Sequence, residues 1–413
     1  MKFINNIKLI TILLLILVGT HSYGQEVESK IDTIINRMGF IENTKSNLDV
    51  ENKLIEHFKK YNWTKHHVSR NSLYKTTFND ENFNISISNE PADFDTKHIV
   101  IKNPYFSEKY EELEEKDYRK YYFRNYPISF SVMYNNHIIS LFENGKFACY
   151  DIKSVERNTD FEKQLNTKKF KTHWIIDKKL VAQSGNQKFV WDEKKWTKLN
   201  NNIPLKNQPK LYDDNEFIVF RDCHGEWGGT IYFYEKSTEK FFFTESTCTN
   251  TVIKTNEGYQ ILSHLGHMMG FCEVKIIPDP RKLTQAKPNE INKTMNGQAL
   301  GYIDKSNAFT EKLEWYGIQI FSTFHHNNEE IYVVNNNEVE LTFLAKIKNN
   351  EIELVHPLFF NNLYTHHPIT TQYGEYTIIN LDFYGIGFDR EVSILIIHKN
   401  QITKIDWNEK HRH

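Results

Sequence analysis

From Ile128 to Trp407 the chain repeats one pattern: a short apolar run, a polar turn, then a second apolar run. The pairs are Phe130–Tyr134 with His137–Ser140, Trp174–Ile176 with Leu180–Ala182, and Lys210–Tyr212 with Phe217–Phe220. They continue as Thr251–Ile253 with Tyr259–Leu262, Phe321–Phe324 with Ile331–Val334, and Ile369–Thr371 with Tyr376–Ile379. The turns hold Asn, Asp, Lys, Glu and Gly, residues that accept tight-turn geometry. Short apolar runs bounded by such turns predict strands. Taken at His137, Leu180, Phe217, Tyr259, Ile331 and Tyr376, the second runs lie 43, 37, 42, 72 and 45 residues apart. The long step contains a Pro- and Asn-bearing stretch, about 278–313, which reads as an inserted loop.

Two further strand-like runs follow each pair, as in Thr230–Tyr234 and Lys240–Thr244. About four strands per roughly 40–45 residues is the period of a β-propeller blade. A single sheet of that size has two faces to cover, so it must stack on neighbours around an axis. The chain therefore resembles a β-propeller repeat protein in architecture. No WD dipeptide, kelch Gly-Gly pair or sialidase-type Asp-box stands in it to select a named family. The expectation is an all-β fold of six four-stranded blades over 128–407, or seven if the runs between Asn82 and Ile101 add one.

Before the repeat the period changes. Val27, Ile31, Ile34, Ile35 and Met38 fall at helical spacing, as do Val50, Leu54, Ile55, Phe58 and Tyr61. Strict alternation over Asn82–Ser88 and the run His98–Ile101 predict strands. Ser107–Arg124 carries acids early and bases late, which suits a solvated helix. Residues 25–127 thus read as a small mixed extension rich in helix, and 408–413 as a tail.

Composition supports a folded chain: 14% of the 413 residues are aromatic, enough to build a core although only 39% are hydrophobic. Lys2 and Lys8 precede an apolar run, Leu9–Val18, and Ser22-Tyr23-Gly24 supplies small residues before Gln25. This is the pattern of a secretory signal peptide over 1–24, with no transmembrane segment expected once it is cleaved. The expected location is secreted or periplasmic. Removing the leader takes away two lysines and no acid, so the formal charge moves from −2 to −4 (49 bases against 53 acids). That balance gives no electrostatic case for nucleic acid. All four cysteines follow the leader, and an oxidising compartment permits disulfides.

In an antiparallel meander the entrance to the first strand and the loop from second to third strand share one edge. Those positions hold Asp222–Gly229, Ser263–Phe271 and Asp382–Asp389, with the entrances Thr172-His173, Thr247–Asn250 and Tyr364–His367. His, Cys, Trp and Gly gather there, whereas the opposite turns carry ordinary turn residues, so this edge is the expected working face. The candidate ligand-binding residues are Arg221, Asp222, His224, Glu226, Trp227, Asn250, His264, His267, His366 and Tyr384. Cys223 and Cys248, 25 apart on that face, are the candidate disulfide between successive blades. His224, His264, His267 and His366 are the candidate ligands should a divalent transition metal be bound. No Gly-x-Ser-x-Gly elbow, P-loop or dinucleotide fingerprint occurs. The first functional expectation is a binding protein for a glycan, a peptide or an envelope protein. A metal-dependent hydrolase or lyase and a structural envelope scaffold are the alternatives.

Overall fold

The computed structural model describes residues 65–69, 82–88, 92, 94–105, 126–200, 203–266, 270–291, 293–295, 298–304, 306–336, 341–359, 367–382 and 392–407. The helical readings over Val27–Tyr61 and Ser107–Arg124, the leader, and His267, His366 and Tyr384 lie outside these residues.

Six sheets form six blades of a β-propeller. Blade 1 is Val132–Tyr134, His137–Leu141 and Phe147–Asp151; blade 2 is Thr172–Ile176, Lys179–Ser184, Gln187–Trp191 and Trp196–Lys198. Blade 3 is Lys210–Asp213, Phe217–Cys223, Gly229–Glu235 and Lys240–Glu245, extended by Thr284–Ala286. Blade 4 is Thr249–Thr255, Gly258–Leu265, Phe271–Ile277 and Thr310–Tyr316. Blade 5 begins Gln319–His326, Glu329–Asn336, Leu341–Lys348 and Glu351–Phe359; blade 6 begins Ile369–Tyr373, Tyr376–Asn380, Ser393–His398 and Gln401–Trp407.

Both faces of each blade are buried, and the alternation of side chains along a strand explains how. In Phe217–Cys223, Ile218 and Phe220 pack with Trp174 and Ile176 of blade 2, while Phe217 and Val219 pack with Val252, Tyr259 and Ile261 of blade 4. Equivalent apolar layers lie between blades 1 and 2, 4 and 5, and 5 and 6. The ring closes through Tyr150, Phe142 and Ile138 of the blade 1 region against Ile378, Ile394 and Trp407 of blade 6.

The Asn-rich turns have a geometric cause. Asn135-Asn136, Asn327-Asn328 and Asn349-Asn350 each connect directly paired strands, and both residues of each turn have positive φ, from 48° to 64°. A two-residue hairpin of type I′ needs that left-handed pair, and Asn tolerates it better than most residues.

Strand counts depart from a uniform four. In blade 1 the outer position is taken by a single bridge, Tyr150 to Arg157, and by the helix Thr159–Leu165. Glu162 on that helix is buried and reaches back to the sheet edge. It accepts from the Cys149 backbone N–H at 3.0 Å and from Arg157 Nε and Nη2 at 2.8 and 2.7 Å. A charged acceptor thus satisfies an edge donor that a fourth strand would otherwise have paired.

The expectation of a seventh blade is corrected. Asn82–Ile87 runs parallel to Glu351–Phe359 on the outside of blade 5, with Lys65–Ser69 outside it, and Asp95–Ile101 runs parallel to Gln401–Trp407 on blade 6. The alternating runs are strands, but they cover existing edges instead of forming a sheet of their own. The stretch near 278–313 is also partly ordered into the ring. Thr284–Ala286 pairs with blade 3, a 3-10 turn spans Leu300–Ile303, and the chain returns as the outer strand of blade 4.

Candidate functional site

The first strands of the blades surround the axis, and on the side where they begin the axis opens into a cavity of about 570 Å³. Its wall draws on Ser129 and Phe130 before blade 1, His173 and Trp174 of blade 2, Gln208 and Lys210 of blade 3, and His367, Thr371 and Tyr373 around blade 6. Arg221, Asp222 and Cys223, from the end of the second strand of blade 3, complete it. A second cavity of about 310 Å³ lies toward the turn side and shares Lys210 and Thr371 with the first. Lys210 therefore sits between the two spaces.

Most polar groups of the wall are held by neighbours. His173 is buried between the Ser129 hydroxyl (2.8 Å from Nδ1) and the Ile139 carbonyl (3.1 Å from Nε2), and burial lowers its pKa to about 4. Asn380 ties its amide to both the N–H and the C=O of Ser131, joining blade 6 to blade 1. Asp222 accepts from the Thr230 N–H and the Tyr232 hydroxyl, each at 2.8 Å, and burial raises its pKa. Lys210 pairs with Asp213, and burial lowers its pKa.

Arg221 is the exception. It is 3% exposed, and among the described residues its Nε has no hydrogen-bond partner. Burial pulls its pKa down to about 10, against the opposing pull of Asp222 and Asp382, so it remains a cation at neutral pH.

The predicted face is thus partly assembled into one cavity and partly not. Arg221, Asp222 and Cys223 line it, with His173 and His367 from the predicted entrances. His224 is half-buried, its Nε2 3.8 Å from Asp222 Oδ1, and Glu226 and Trp227 stand exposed on the short turn above. Asn250 and His264 go elsewhere. Both are fully buried between blades 4 and 5, where Asn250 donates to the Ile320 carbonyl at 3.0 Å and His264 meets Phe321 edge-on. The reason is strand length: Gly258–Leu265 continues through His264, which pairs with Cys272, so this residue belongs to the sheet and not to a loop. Among the described residues no group of three or more His, Cys, Asp or Glu is placed to hold a metal ion.

Lys210, Ser129, Gln208 and Thr371 were not singled out from the sequence. The signal that locates them is the repeat register, since each lies near the start of, or along, a first strand and hence near the axis.

The Cys223–Trp227 corner is built tightly. Cys223 and Cys248 form a disulfide, with Cα atoms 4.7 Å apart, joining the second strand of blade 3 to the entrance of blade 4. A Cβ on Gly229 would stand 2.6 Å from the Ser246 carbonyl oxygen and 2.9 Å from that of Asp222, so only glycine fits. Gly301 of the inserted stretch lies flat on the same place, a would-be Cβ 2.7 Å from Gly229 O and from Glu245 Cα, and its N–H donates to Thr230 Oγ1. This contact sets Tyr302 over Gly228 and beside the exposed Trp227.

No protein-family model matches the chain, and no curated protein matches it. Among solved structures it overlaps PorZ, described as an essential bacterial surface component of the type-IX secretion system of Porphyromonas gingivalis, with a TM-score of 0.34 at 13% identity. That overlap covers 69% of this chain and 35% of the PorZ chain, so the chain spans about a third of that protein. It also overlaps the N-terminal domain of Nup159 (TM-score 0.32, 8% identity, 70% of this chain and 79% of that one). A third overlap is with a protein of unknown function from Bacteroides caccae (TM-score 0.31, 9% identity, 66% of this chain and 98% of that one). These likenesses are partial and distant, and no ligand or partner is carried over from them.

Proposed function

We propose that this chain is an exported β-propeller that recognises a glycan in the axial cavity on the face where its first strands begin. The observation that carries the reading is Arg221, a buried cation in the cavity wall whose Nε lacks a hydrogen-bond partner among the described residues. A buried donor left open costs about 1–3 kcal/mol, more when charged, and a ligand oxygen placed against it recovers that cost. The rest of the wall suits a sugar. Phe130 and Tyr373, both half-buried, offer apolar surface for ring faces, and Ser129, Thr371 and Lys210 bring hydroxyls and an ammonium group for ring oxygens and hydroxyls. Preorganisation favours binding, because His173, Asn380 and Asp222 are fixed by their own hydrogen bonds before any ligand enters.

A panel of immobilised acidic and neutral oligosaccharides tests the reading. The wild-type chain should be retained by at least one, and Arg221→Gln should weaken that binding roughly ten- to a hundredfold, the range for losing a hydrogen bond to a charged group. Circular dichroism checks that the variant stays folded. Retention by none of the sugars, or identical retention of wild type and variant, sinks the reading; retention by peptides in a parallel panel would move it to a peptide ligand.

Export rests on the basic start at Lys2 and Lys8, the apolar run Leu9–Val18 and the small residues before Gln25. The Cys223–Cys248 disulfide is compatible with an extracellular or envelope location. Amino-terminal sequencing of the protein recovered outside the cytoplasm of an expressing bacterium should begin at Gln25. A sequence beginning at Met1 or Lys2 would exclude cleavage there.

A further inference from the structure

The positive charge of this chain is concentrated in one blade. Residues 166–209, which hold blade 2 and its link to blade 3, contain ten lysines, no arginine and three acids, Asp177, Asp192 and Glu193. That is a net charge of +7 (ten bases against three acids) in a chain whose formal total is −2.

Strand pairing sorts these charges onto two edges. The turn after Ile176 and the turn between Trp191 and Trp196 lie on the side away from the axial cavity. They take all three acids, together with Lys178, Lys179, Lys194 and Lys195. The other edge, where the chain enters at Thr172 and turns from Ser184 to Gln187, borders the cavity. It holds Lys168, Lys169, Lys171, Lys188, Lys198 and Lys206, and no acid of residues 166–209. The adjoining turn of blade 1 is balanced, with Glu143 and Lys146.

Five of these six lysines are exposed and Lys188 is half-buried. Among the described residues none of the six forms an ion pair: Lys188 donates to the Ile203 carbonyl at 2.6 Å, and Lys168 Nζ lies 4.9 Å from the centre of the Phe189 ring. Burial, and then the Lys206 ammonium, lowers the pKa of Lys188, so the like charges press on one another. The backbone that carries them is fixed. The Phe170 N–H donates to the Gly145 carbonyl, Lys171 to Gln183 and Leu199 to Lys188, each at 2.9 Å, and the Lys206 N–H donates to Gln208 Oε1 at 2.7 Å. Lys171 belongs both to this edge and to the cavity wall, which also holds Arg221 and Lys210.

We propose that the cavity-side edge of blade 2 binds the continuation of a linear acidic polysaccharide, its carboxylates or sulfates laid along the six lysines while one sugar occupies the axial cavity. The inference rests on the reading of the cavity as a sugar site and narrows the ligand to an anionic glycan. A polymer of regularly spaced anions relieves the repulsion among lysines that no acid of the chain relieves, and the fixed backbone presents them without further ordering. Two other polyanions fit less well. Single-stranded nucleic acid binds through open aromatic faces as well as charge. Here Phe189 is half-buried beside Lys168, and Phe170, Trp174, Trp191 and Trp196 are buried. An anionic membrane would meet the whole face at once, including exposed Glu226 on the turn of blade 3, whereas the lysines occupy one blade of six.

Calorimetric titration of the full chain at low salt, with polygalacturonate, dextran sulfate and plain dextran, tests the proposal; the first two separate carboxylate from sulfate. At least one polyanion should bind more tightly than plain dextran, and added salt should weaken it. The triple variant Lys168→Gln, Lys169→Gln, Lys198→Gln, which alters no residue of the cavity wall, should weaken that polymer roughly tenfold, the sum of three exposed charge contacts. The matched variant Lys178→Gln, Lys179→Gln, Lys194→Gln, on the opposite edge, should leave it unchanged. Binding of neither polyanion, equal effects of the two triple variants, or tighter binding of oligothymidylate or of phosphatidylglycerol vesicles would overturn the proposal. Arg221→Gln separates it from the reading beneath it. Loss of binding in Arg221→Gln with no effect of the Lys168, Lys169, Lys198 variant overturns the lysine track and leaves the cavity reading standing. The reverse result overturns the cavity reading and supports the track.

Discussion

Lowering the pH from 7 to 5 is expected to remove roughly 4 kcal/mol of folding stability through two buried histidines, His173 and His356, about 2 kcal/mol from each. Burial lowers the first to about 4 and the second to about 3. The sign follows from which state holds the protons. In the unfolded chain each imidazole titrates near 6.5, so at pH 5 it is protonated; in the folded chain it stays neutral until the pH approaches 4 or below. The unfolded state then binds more protons, and stability falls with pH across the window from about 6.5 down to the folded values. The loss at pH 5 is set by the unfolded value alone as long as the folded one stays below 5, so it does not depend on how far burial drives the shift.

The two histidines can be separated by substitution. His356 is fully buried beside Phe94, and among the described residues neither ring nitrogen has a hydrogen-bond partner. His356→Leu should therefore cost little at pH 7 and should remove about half of this acid sensitivity. His173→Gln should remove the other half, at some cost at pH 7 because the Ser129 and Ile139 partners are disturbed. Asp222 and Glu245 work in the opposite direction. Burial raises both, so acid relieves them, and the raw wild-type slope will be shallower than the histidines alone would give. Urea unfolding of the wild type and both variants at pH 7 and pH 5 measures the difference directly. An unchanged pH dependence in both variants would show that the folded state accommodates charged imidazole at these positions.

The repeat itself was legible because each blade must bury both faces of its sheet. The six predicted strand pairs coincide with the first two strands of the six blades, and two of the polar turns between them, Asn135-Asn136 and Asn327-Asn328, are Asn pairs with positive φ. Loop boundaries were harder to read. Asp222 and Cys223 belong to a strand that runs to Cys223, and His264 to one that runs to Leu265, because the pairing with the third strand of the same blade continues through these polar residues. Asn250 and His264 looked like surface chemistry by type, yet they fill a polar seam between blades 4 and 5. Nor could alternation over Asn82–Ile87 and Asp95–Ile101 reveal a partner strand. Period two states that a segment is extended, while the edge it covers is decided about 270–300 residues later in the chain. The axial position of Lys210 was hidden for a related reason: it opens an ordinary-looking strand, and only closure of the ring turns that start toward the axis.

Replacing both Cys223 and Cys248 by serine is expected to destabilise the fold by about 3 kcal/mol, the loop-entropy value for a cross-link spanning a few tens of residues. The two are 25 residues apart, and the bond spans the third and fourth strands of blade 3 before reaching the entrance of blade 4. Cys248 is buried and holds a positive φ of 52°, a conformation that a non-glycine residue keeps only when its surroundings enforce it. The remaining cysteines are poor substitutes. Cys149 and Cys272 are buried, and burial raises both thiols so that they stay protonated and slow to exchange. Reductant should therefore shift the urea midpoint of the wild type to that of the Cys223→Ser, Cys248→Ser double variant and leave the variant unmoved. Coincident midpoints for oxidised wild type and the variant would mean that Gly229, Gly301 and the surrounding hydrogen bonds hold the corner without the covalent link, and that the disulfide contributes little to the fold.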